Sequence, residues 1–259
     1  MDRDNGGITI DVPSGFEKFH KLIGKLTDKH DLARVFDDWL EYIIHAHTIG
    51  EAPEWDKPYS KDEITVLWDM YCELILTLNE RLVTDKDWFD YPGVYYESCI
   101  STPYQREKAG QFFTPQDVCN LMASLNMATL PEEGHIRIND PTSGSGRCLL
   151  AAHVQRPGAY MVAEDLDHTC VLMAVVNFLL HGVNGLVVWH NTLTGDFYGA
   201  WRVNESMNMT GGAPHCRVLT EEEYNSQKMM DEILMSDTAR GDVTILKPDK
   251  QSTLEGIFG

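Results

Sequence analysis

The sequence predicts an α/β fold in which a mostly parallel β-sheet follows an N-terminal helical region. Three observations predict it. Apolar residues repeat at helical spacing in the first part of the chain, short apolar strands alternate with helices in the second part, and a glycine-containing turn joins the first strand to its helix. These patterns divide the chain into a tail at 1–15, a helical region at 16–109, and a sheet domain at 110–259 with an irregular insertion at 195–240.

The helical region is defined by three apolar stripes. They begin at Phe16, at Leu32 and at Ile64, and their members recur every three or four residues. Ser60 followed by Glu63 forms a capping box, which predicts the start of the third helix. The stripes are expected to form the core of this region, and they identify no ligand.

The sheet domain alternates short strands with helices, which is typical of βαβ units. Within the second helix, Asn177 and His181 are expected to make hydrogen bonds near the helix end. Both periodicities are lost in the insertion, so a loop-like segment is predicted there. Thr220 and Glu223 predict one more helix within it. The predicted strands are 136–139, 159–166, 186–191 and 242–246, and the second helix is 168–182.

Composition and charge limit the possible functions. The 259 residues are 43% hydrophobic, enough for a sizeable core, and no apolar run approaches the length of a membrane span. The N-terminus is acidic and polar, unlike a secretory signal, and the six cysteines contain no C-x-x-C pair. These features predict a cytoplasmic protein without a metal site. The net charge of −19 predicts weak DNA binding by the chain alone, because DNA affinity depends on Lys and Arg.

The turn from Asp140 to Gly146 is the strongest candidate for a ligand site. It is not a phosphate-binding Walker loop, because no Lys-Ser/Thr follows the glycines, and it lacks the third glycine of a dinucleotide-binding turn. Asp165 lies about 20 residues beyond the turn, where a carboxylate can accept hydrogen bonds from ribose hydroxyls. Asp140 could face an ammonium group. A ligand with a ribose and an amino acid group but no pyrophosphate is S-adenosylmethionine; an ordinary tight turn is the alternative.

Five segments in order give this chain a resemblance to a known family. It resembles the adenine-N6 DNA methyltransferases, specifically the modification subunit of type I restriction–modification systems. The resemblance implies a Rossmann-like, S-adenosylmethionine-dependent methyltransferase fold. It also implies that DNA is a partner, bound through a basic specificity or DNA-binding chain. It leaves open whether the chain forms an oligomer. The segments are "GQFFTP" (110–115), "NDPTSGSG" (139–146), "EDLD" (164–167), "NFLLHG" (177–182) and "HNTL" (190–193).

The resemblance also implies roles for individual residues. The Phe-Phe-Thr-Pro segment would cover the methionine end of the cofactor, and Thr114 would also cap the next helix. Asp165 stands in place of the ribose-binding Glu of the family, and Asn191 stands where an Asp usually meets the adenine amino group. The family usually has Ala-Cys where this chain has Thr142-Ser143. The implied cofactor-binding residues are Phe113, Thr114, Pro115, Asp140, Pro141, Thr142, Gly144, Gly146, Asp165 and Asn191.

The catalytic signature of the family, Asn/Asp-Pro-Pro-Tyr/Phe, does not occur in this sequence. Its amide and aromatic ring would hold a flipped adenine in line with the methyl donor. The segment 241–250 has a similar context but contains Lys247-Pro248-Asp249-Lys250. Asn191, Lys247 and Pro248 are therefore only weak catalytic candidates. Two other readings stay open: a catalytically inactive regulatory, interaction or anti-restriction protein on the same fold, and a small-molecule methyltransferase, which the Phe-Phe-Thr-Pro segment disfavours.

Overall fold

The computed structural model describes residues 12–51, 54–84, 88–101, 113–128, 130, 136–205, 207 and 212–229. They fall into two compact units, one that ends at Leu219 and one that begins at Thr220. Within these described ranges, every helix is too short or too polar to serve as a membrane span.

Helices occupy the first part of the chain, as predicted. They are α1 (Glu17–Gly24), α2 (Leu32–His47), α3 (Lys61–Thr84) and α4 (Tyr91–Tyr95), which continues into a π-helical turn (Tyr96–Ile100). Aromatic rings fill the space between them; Phe19 packs against Trp39 and Tyr95, for example, with ring centroids 4.8 and 4.7 Å apart. The capping box is confirmed, because the Ser60 backbone N–H donates to Glu63 Oε2 at 2.8 Å. The predicted tail lies largely outside the described residues, and so does the predicted boundary near residue 110.

The second part of the chain forms a five-stranded sheet. Its strands lie in the order β1-β2-β3-β4-β5, with β1 parallel to β2 and β2 parallel to β3. The carboxyl ends of these three strands therefore meet at one edge of the sheet. The elements are α5 (Gln116–Met127), β1 (Arg137–Asp140), α6 (Arg147–Gln155), β2 (Tyr160–Asp165), α7 (His168–Leu180), β3 (Gly185–His190), β4 (Phe197–Val203) and β5 (Cys216–Leu219).

Two features of the sheet correct the prediction. The segment 195–240 was expected to be irregular, but it contributes β4 and β5, both antiparallel to their neighbours, so the sheet is mixed rather than mostly parallel. The alternation of apolar and polar residues is weak in β4, where Tyr198 is exposed and Gly199 follows it. Gly199 leaves room for the rings of Trp189 and Trp201, either of which a side chain at 199 would contact. Such strands are specified by packing against neighbours rather than by their own pattern.

The unit that begins at Thr220 contains a helix at 221–229, labelled α8. Its predicted cap is confirmed, because the Thr220 N–H donates to Glu223 Oε2 at 2.8 Å and the Glu223 N–H donates to Thr220 Oγ1 at 3.2 Å. The strand predicted at 242–246 lies outside the described residues.

Helix α7 fixes the sheet to the helical layer. All of its residues from Cys170 to Leu179 are buried. A side chain on Gly185 would come within 2.9 Å of the Phe178 ring and 2.2 Å of the Met161 carbonyl oxygen, so only glycine permits this close approach. Helix α2 reaches α7 from the other side, where Thr169 Oγ1 donates to Asp37 Oδ1 at 2.8 Å.

Candidate functional site

The glycine turn lies at the carboxyl end of β1 and is bonded to the end of β2. The Gly144 N–H donates to Asp165 Oδ2 at 2.8 Å, and the Ser143 N–H donates to the Glu164 carbonyl oxygen at 2.9 Å. Gly144 and Gly146 have φ angles of +55° and +87°, a region that favours glycine. The turn and the end of β2 therefore form one rigid cradle, as the spacing between Gly144 and Asp165 suggests.

Two partly buried carboxylates line this cradle. Asp140 Oδ1 accepts the Thr142 N–H at 3.1 Å, and Asp165 Oδ1 accepts the Asp167 N–H at 2.9 Å. Burial is the main cause that raises the pKa of both Asp140 and Asp165 above the usual range. Burial disfavours the ionised form of each carboxylate, and hydrogen-bond donors or a cation near these groups would offset that free-energy cost.

The segment before α5 lies against the same turn. A Cβ on Gly144 would be 3.5 Å from the Phe113 ring, so the ring covers this glycine. The guanidinium carbon of Arg147 lies 5.0 Å from the centre of the Phe113 ring, within cation–π range. The Thr114 carbonyl oxygen accepts from Arg147 Nη1 at 3.4 Å. The structure thus brings Phe113 and Thr114 to the predicted cofactor loop.

One prediction about this segment is wrong. Thr114 was expected to cap the next helix, but Pro115 is the N-cap residue of α5, and no side chain caps it. The Val118 and Cys119 N–H groups donate instead to the Pro115 carbonyl oxygen, each at 3.0 Å. Because Pro115 takes the N-cap position, α5 begins one residue too late for the Thr114 side chain to cap it. Pro115 itself is exposed, as are Pro141 and Thr142 at the tip of the glycine turn.

A buried carboxylate beneath the turn was missed by the sequence analysis. Asp90, which is 2% exposed, accepts from Ser145 Oγ and from Arg147 Nε, each at 2.5 Å. Its other oxygen accepts from the Gly93 N–H at 2.9 Å and from Asn177 Nδ2 at 2.7 Å. Asp90 therefore joins the start of α4 to the turn, to α6 and to α7. The Asp-Tyr-Pro-Gly sequence could have indicated an N-cap, but nothing local indicates the partners on α6 and α7.

Asn177 and His181 make the hydrogen bonds that were predicted. Asn177 Nδ2 also donates to the Ser145 carbonyl oxygen at 2.8 Å, and His181 Nε2 accepts the Phe89 N–H at 3.2 Å. Burial lowers the pKa of His181 to about 4, so its ring is neutral at physiological pH. Both side chains serve to hold the end of α7 against the segment that carries Asp90.

The remaining site predictions have different outcomes. Asn191 directly follows β3, and its amide oxygen accepts from the Leu193 and Thr194 N–H groups at 3.0 and 3.3 Å. Both lone pairs of that oxygen are thus used within its own turn. Lys247 and Pro248 lie outside the described residues.

A Glu-His pair that the sequence did not predict lies on the face of β2 opposite the glycine turn. Glu164 Oε2 and His190 Nε2 are 2.6 Å apart, at the ends of β2 and β3. Successive side chains of a strand point to opposite faces, so Glu164 and Asp165 lie on different sides of the sheet. The sequence places both residues in "EDLD" and does not indicate which one faces the turn.

The fold and the site define an α/β protein with a glycine turn at the carboxyl ends of parallel strands. The N-6 DNA methylase family matches residues 87–241, more than half of the chain, and the chain belongs to this family. The resemblance to adenine-N6 methyltransferases is therefore confirmed.

One similar protein is the methylase subunit of the type I restriction enzyme MjaVIII from Methanocaldococcus jannaschii. It is 28% identical over 115 residues, which are 42% of this chain and 19% of that subunit. The chain thus spans about a fifth of the length of this curated relative. No solved structure matches the chain.

Proposed function

We propose that this chain binds S-adenosylmethionine and serves as the cofactor-binding part of an adenine-N6 DNA methyltransferase. One observation carries the proposal: the Gly144 N–H is bonded to Asp165, so that the glycine turn, which begins at Asp140, and the end of β2 form one cradle. Membership in the N-6 DNA methylase family supports the substrate class.

The residues present fit this cofactor. Gly144 lacks the side chain that would meet the Phe113 ring over the turn, and both Gly144 and Gly146 have positive φ angles. Asp140 and Asp165 keep acceptor capacity beyond the backbone bonds described above, since a carboxylate has about four lone-pair sites. The donor set is thus suited to an ammonium group and to ribose hydroxyls, both of which S-adenosylmethionine carries.

Each of these residues has a positioning role in the proposal. Asp140 would hold the ammonium group, Asp165 would accept from the ribose, and Phe113 with Thr114 and Pro115 would cover the methionine end. S-adenosylmethionine would supply a methyl group on a sulfonium centre. A Phe113 ring against the turn would also exclude water from that end of the site.

We propose that a partner chain makes most of the contacts to DNA. The charge of −19 opposes binding to phosphates, so a basic specificity or DNA-binding chain would supply the Lys and Arg contacts. The similar protein is a subunit of a restriction enzyme, which supports a place in a restriction–modification system. A cytoplasmic location belongs to the same proposal.

A catalytically inactive regulatory or anti-restriction protein is the second candidate. The sequence contains no Pro-Pro, and the Asn191 oxygen is used within its own turn. We therefore expect the purified chain alone to transfer no methyl group to adenine in DNA. Tritium transfer from labelled S-adenosylmethionine checks this with and without a partner subunit. Transfer by the chain alone that Asn191→Ala abolishes and Lys247→Ala leaves intact would contradict this expectation.

Calorimetry tests cofactor binding directly. We expect S-adenosylmethionine and its demethylated product to bind the wild type. Asp140→Asn keeps the acceptor for the Thr142 N–H but removes the charge that would pair with the ammonium group. A hydrogen bond to a charged group contributes about 1.5–3 kcal/mol, so affinity should fall about 10- to 150-fold.

The matched control is Asp31→Asn. Asp31 caps α2 by accepting from the Ala33 N–H at 3.0 Å, well away from the turn in sequence, and Asn is an equally good cap. This variant should bind the cofactor as the wild type does. The absence of any heat at millimolar cofactor with wild-type protein would refute the proposal.

A further inference from the structure

Two thiols meet directly behind the Phe113–Pro115 segment. Cys119 on α5 and Cys148 on α6 have their Sγ atoms 3.6 Å apart. Cys119 is fully buried and its thiol also donates to the Thr114 carbonyl oxygen at 3.6 Å, whereas Cys148 is partly exposed. All six cysteines of the chain are free thiols in the structure.

The two thiols differ in reactivity. The hydrogen-bonding contact with the Cys119 thiol is the main cause that lowers the pKa of Cys148, and Arg147 contributes in the same direction. That same bond and burial raise the pKa of Cys119, which keeps its proton. Cys148 is also the second residue of α6, and a helix N-terminus favours a thiolate. Burial, by contrast, raises the pKa of Cys99 and Cys216 to about 11.

We propose that Cys119 and Cys148 form a modification site that a peroxide converts reversibly into an intramolecular disulfide. The Cys148 thiolate attacks one oxygen of hydrogen peroxide, which breaks the O–O bond, releases hydroxide and leaves a sulfenic acid. The Cys119 sulfur then displaces the hydroxyl group from Cys148, and the S–H proton leaves with it as water. The two thiols lose two electrons in total, and one peroxide becomes two waters.

Closing this bond would disturb the cofactor loop. The two sulfurs must approach from 3.6 Å to a bond of about 2.05 Å. The Thr114 carbonyl oxygen then loses its thiol donor, and the start of α6 is drawn toward α5. This consequence rests on the proposed function, because it assumes that Thr114 and Phe113 contact S-adenosylmethionine. Coupling between two sites of one protein is commonly about 5- to 150-fold, and we expect weaker cofactor binding within that range.

The experiment uses the reduced, full-length chain treated with hydrogen peroxide. Intact mass should fall by the mass of two hydrogens, and peptic mapping at acidic pH, where thiol exchange is slow, should recover a peptide pair linked through Cys119 and Cys148. Dithiothreitol should restore the original mass. In Cys119→Ser, dimedone should trap a sulfenic acid on Cys148. In the control Cys72→Ser, which changes the partly exposed thiol of α3, the same disulfide should form.

Cofactor binding is then measured by calorimetry on the reduced and oxidised wild type. Equal labelling of Cys119 and Cys148 by iodoacetamide after peroxide treatment, with no linked peptide, would overturn the site. A disulfide that forms but leaves cofactor affinity unchanged would overturn the coupling to the loop. Failure of the reduced protein to bind cofactor would instead refute the proposed function, while the linked peptide would still support the modification site.

Discussion

The replacement of Asp90 by Asn should show how much the buried ion pair between Asp90 and Arg147 contributes to the stability of the chain. Asn is nearly the same size as Asp and remains a good N-cap for α4. It removes the charge that faces Arg147, whose side chain is 9% exposed. Ser145 and Arg147 both donate to the same oxygen of Asp90. If the N–H₂ group of Asn takes the place of that oxygen, it faces these two donors and cannot accept from them.

The magnitude follows from the surroundings of Arg147. Without Asp90, the guanidinium keeps only one counter-charge among the described residues, Glu97 at 3.2 Å and about one-third exposed. Its other contacts there are neutral, the Thr114 carbonyl oxygen and the Phe113 ring. Breaking a buried ion pair by the removal of one partner costs about 3–5 kcal/mol. For a chain of this size, each kcal/mol lowers the melting temperature by about 2–4 °C. We therefore expect a fall of about 6–20 °C.

Thermal unfolding followed by circular dichroism measures this change. Asp31→Asn is the control, because it makes the same substitution at an exposed N-cap and should shift the free energy of unfolding by less than about 0.5 kcal/mol. Arg147→Met alone and combined with Asp90→Asn completes a double-mutant cycle. The two changes should be far from additive, since the double variant removes both members of the buried pair.

A loss below about 1 kcal/mol in Asp90→Asn would refute this reasoning. Additive effects of Asp90→Asn and Arg147→Met would do so as well. Either result would mean that the pair contributes little beyond the packing of its side chains.

Three further outcomes are expected. Gly146→Ala and Gly158→Ala both place a side chain at a positive φ, so each variant should lose about 1–2 kcal/mol of stability. Only at Gly146 would the new Cβ contact a neighbour, the Phe178 ring at 3.4 Å. Calorimetry should therefore show weaker cofactor binding for Gly146→Ala alone. Burial is the main cause that raises the pKa of Asp37 from 3.8 to about 6, so the folded chain binds more protons than the unfolded chain between about pH 4 and 6, and its stability falls as pH rises through that window. Asp37→Asn should remove this penalty, adding up to about 3 kcal/mol at pH 8 and little at pH 4, as thermal melts can show. The isolated chain should bind duplex DNA weakly in electrophoretic assays, and nanomolar, salt-sensitive binding would show that a local basic face outweighs the total charge.

The sequence was informative where structure is local. Helical spacing, two capping boxes and the glycine turn each depend on residues a few positions apart, and the structure confirms them. The antiparallel strands β4 and β5 were missed because they depend on pairing, of β4 with β3 and of β5 with β4, and on the packing of Trp189 of β3 and Trp201 against Gly199. Length and composition could not reveal that pairing.

The candidate site shows the same division. The distance in sequence between Gly144 and Asp165 was enough to predict that the turn and the end of β2 lie together, because βαβ geometry brings the two together. That they share a ligand site stays a prediction. The Asp90 carboxylate could not be predicted, since its partners Ser145, Arg147 and Asn177 lie more than 50 residues away along the chain. Asn191 was assigned a ligand role, but its amide oxygen is used locally by a turn that a simple motif comparison does not show.

The contacts of Asp90 bear on how the cradle is held in shape. The boundary near residue 110 separates two patterns of sequence, and as a domain boundary it stays a prediction. Hydrogen bonds between described residues nevertheless cross it, among them those from Ser145 in the turn to Asp90 and from Thr169 at the start of α7 to Asp37. A fragment that began at residue 110 would leave Arg147 buried without its main counter-charge, at a cost of the same order as that of Asp90→Asn. The helical region is therefore part of the physical support of the glycine turn, and the turn owes its shape to residues that precede the sheet as much as to its own glycines.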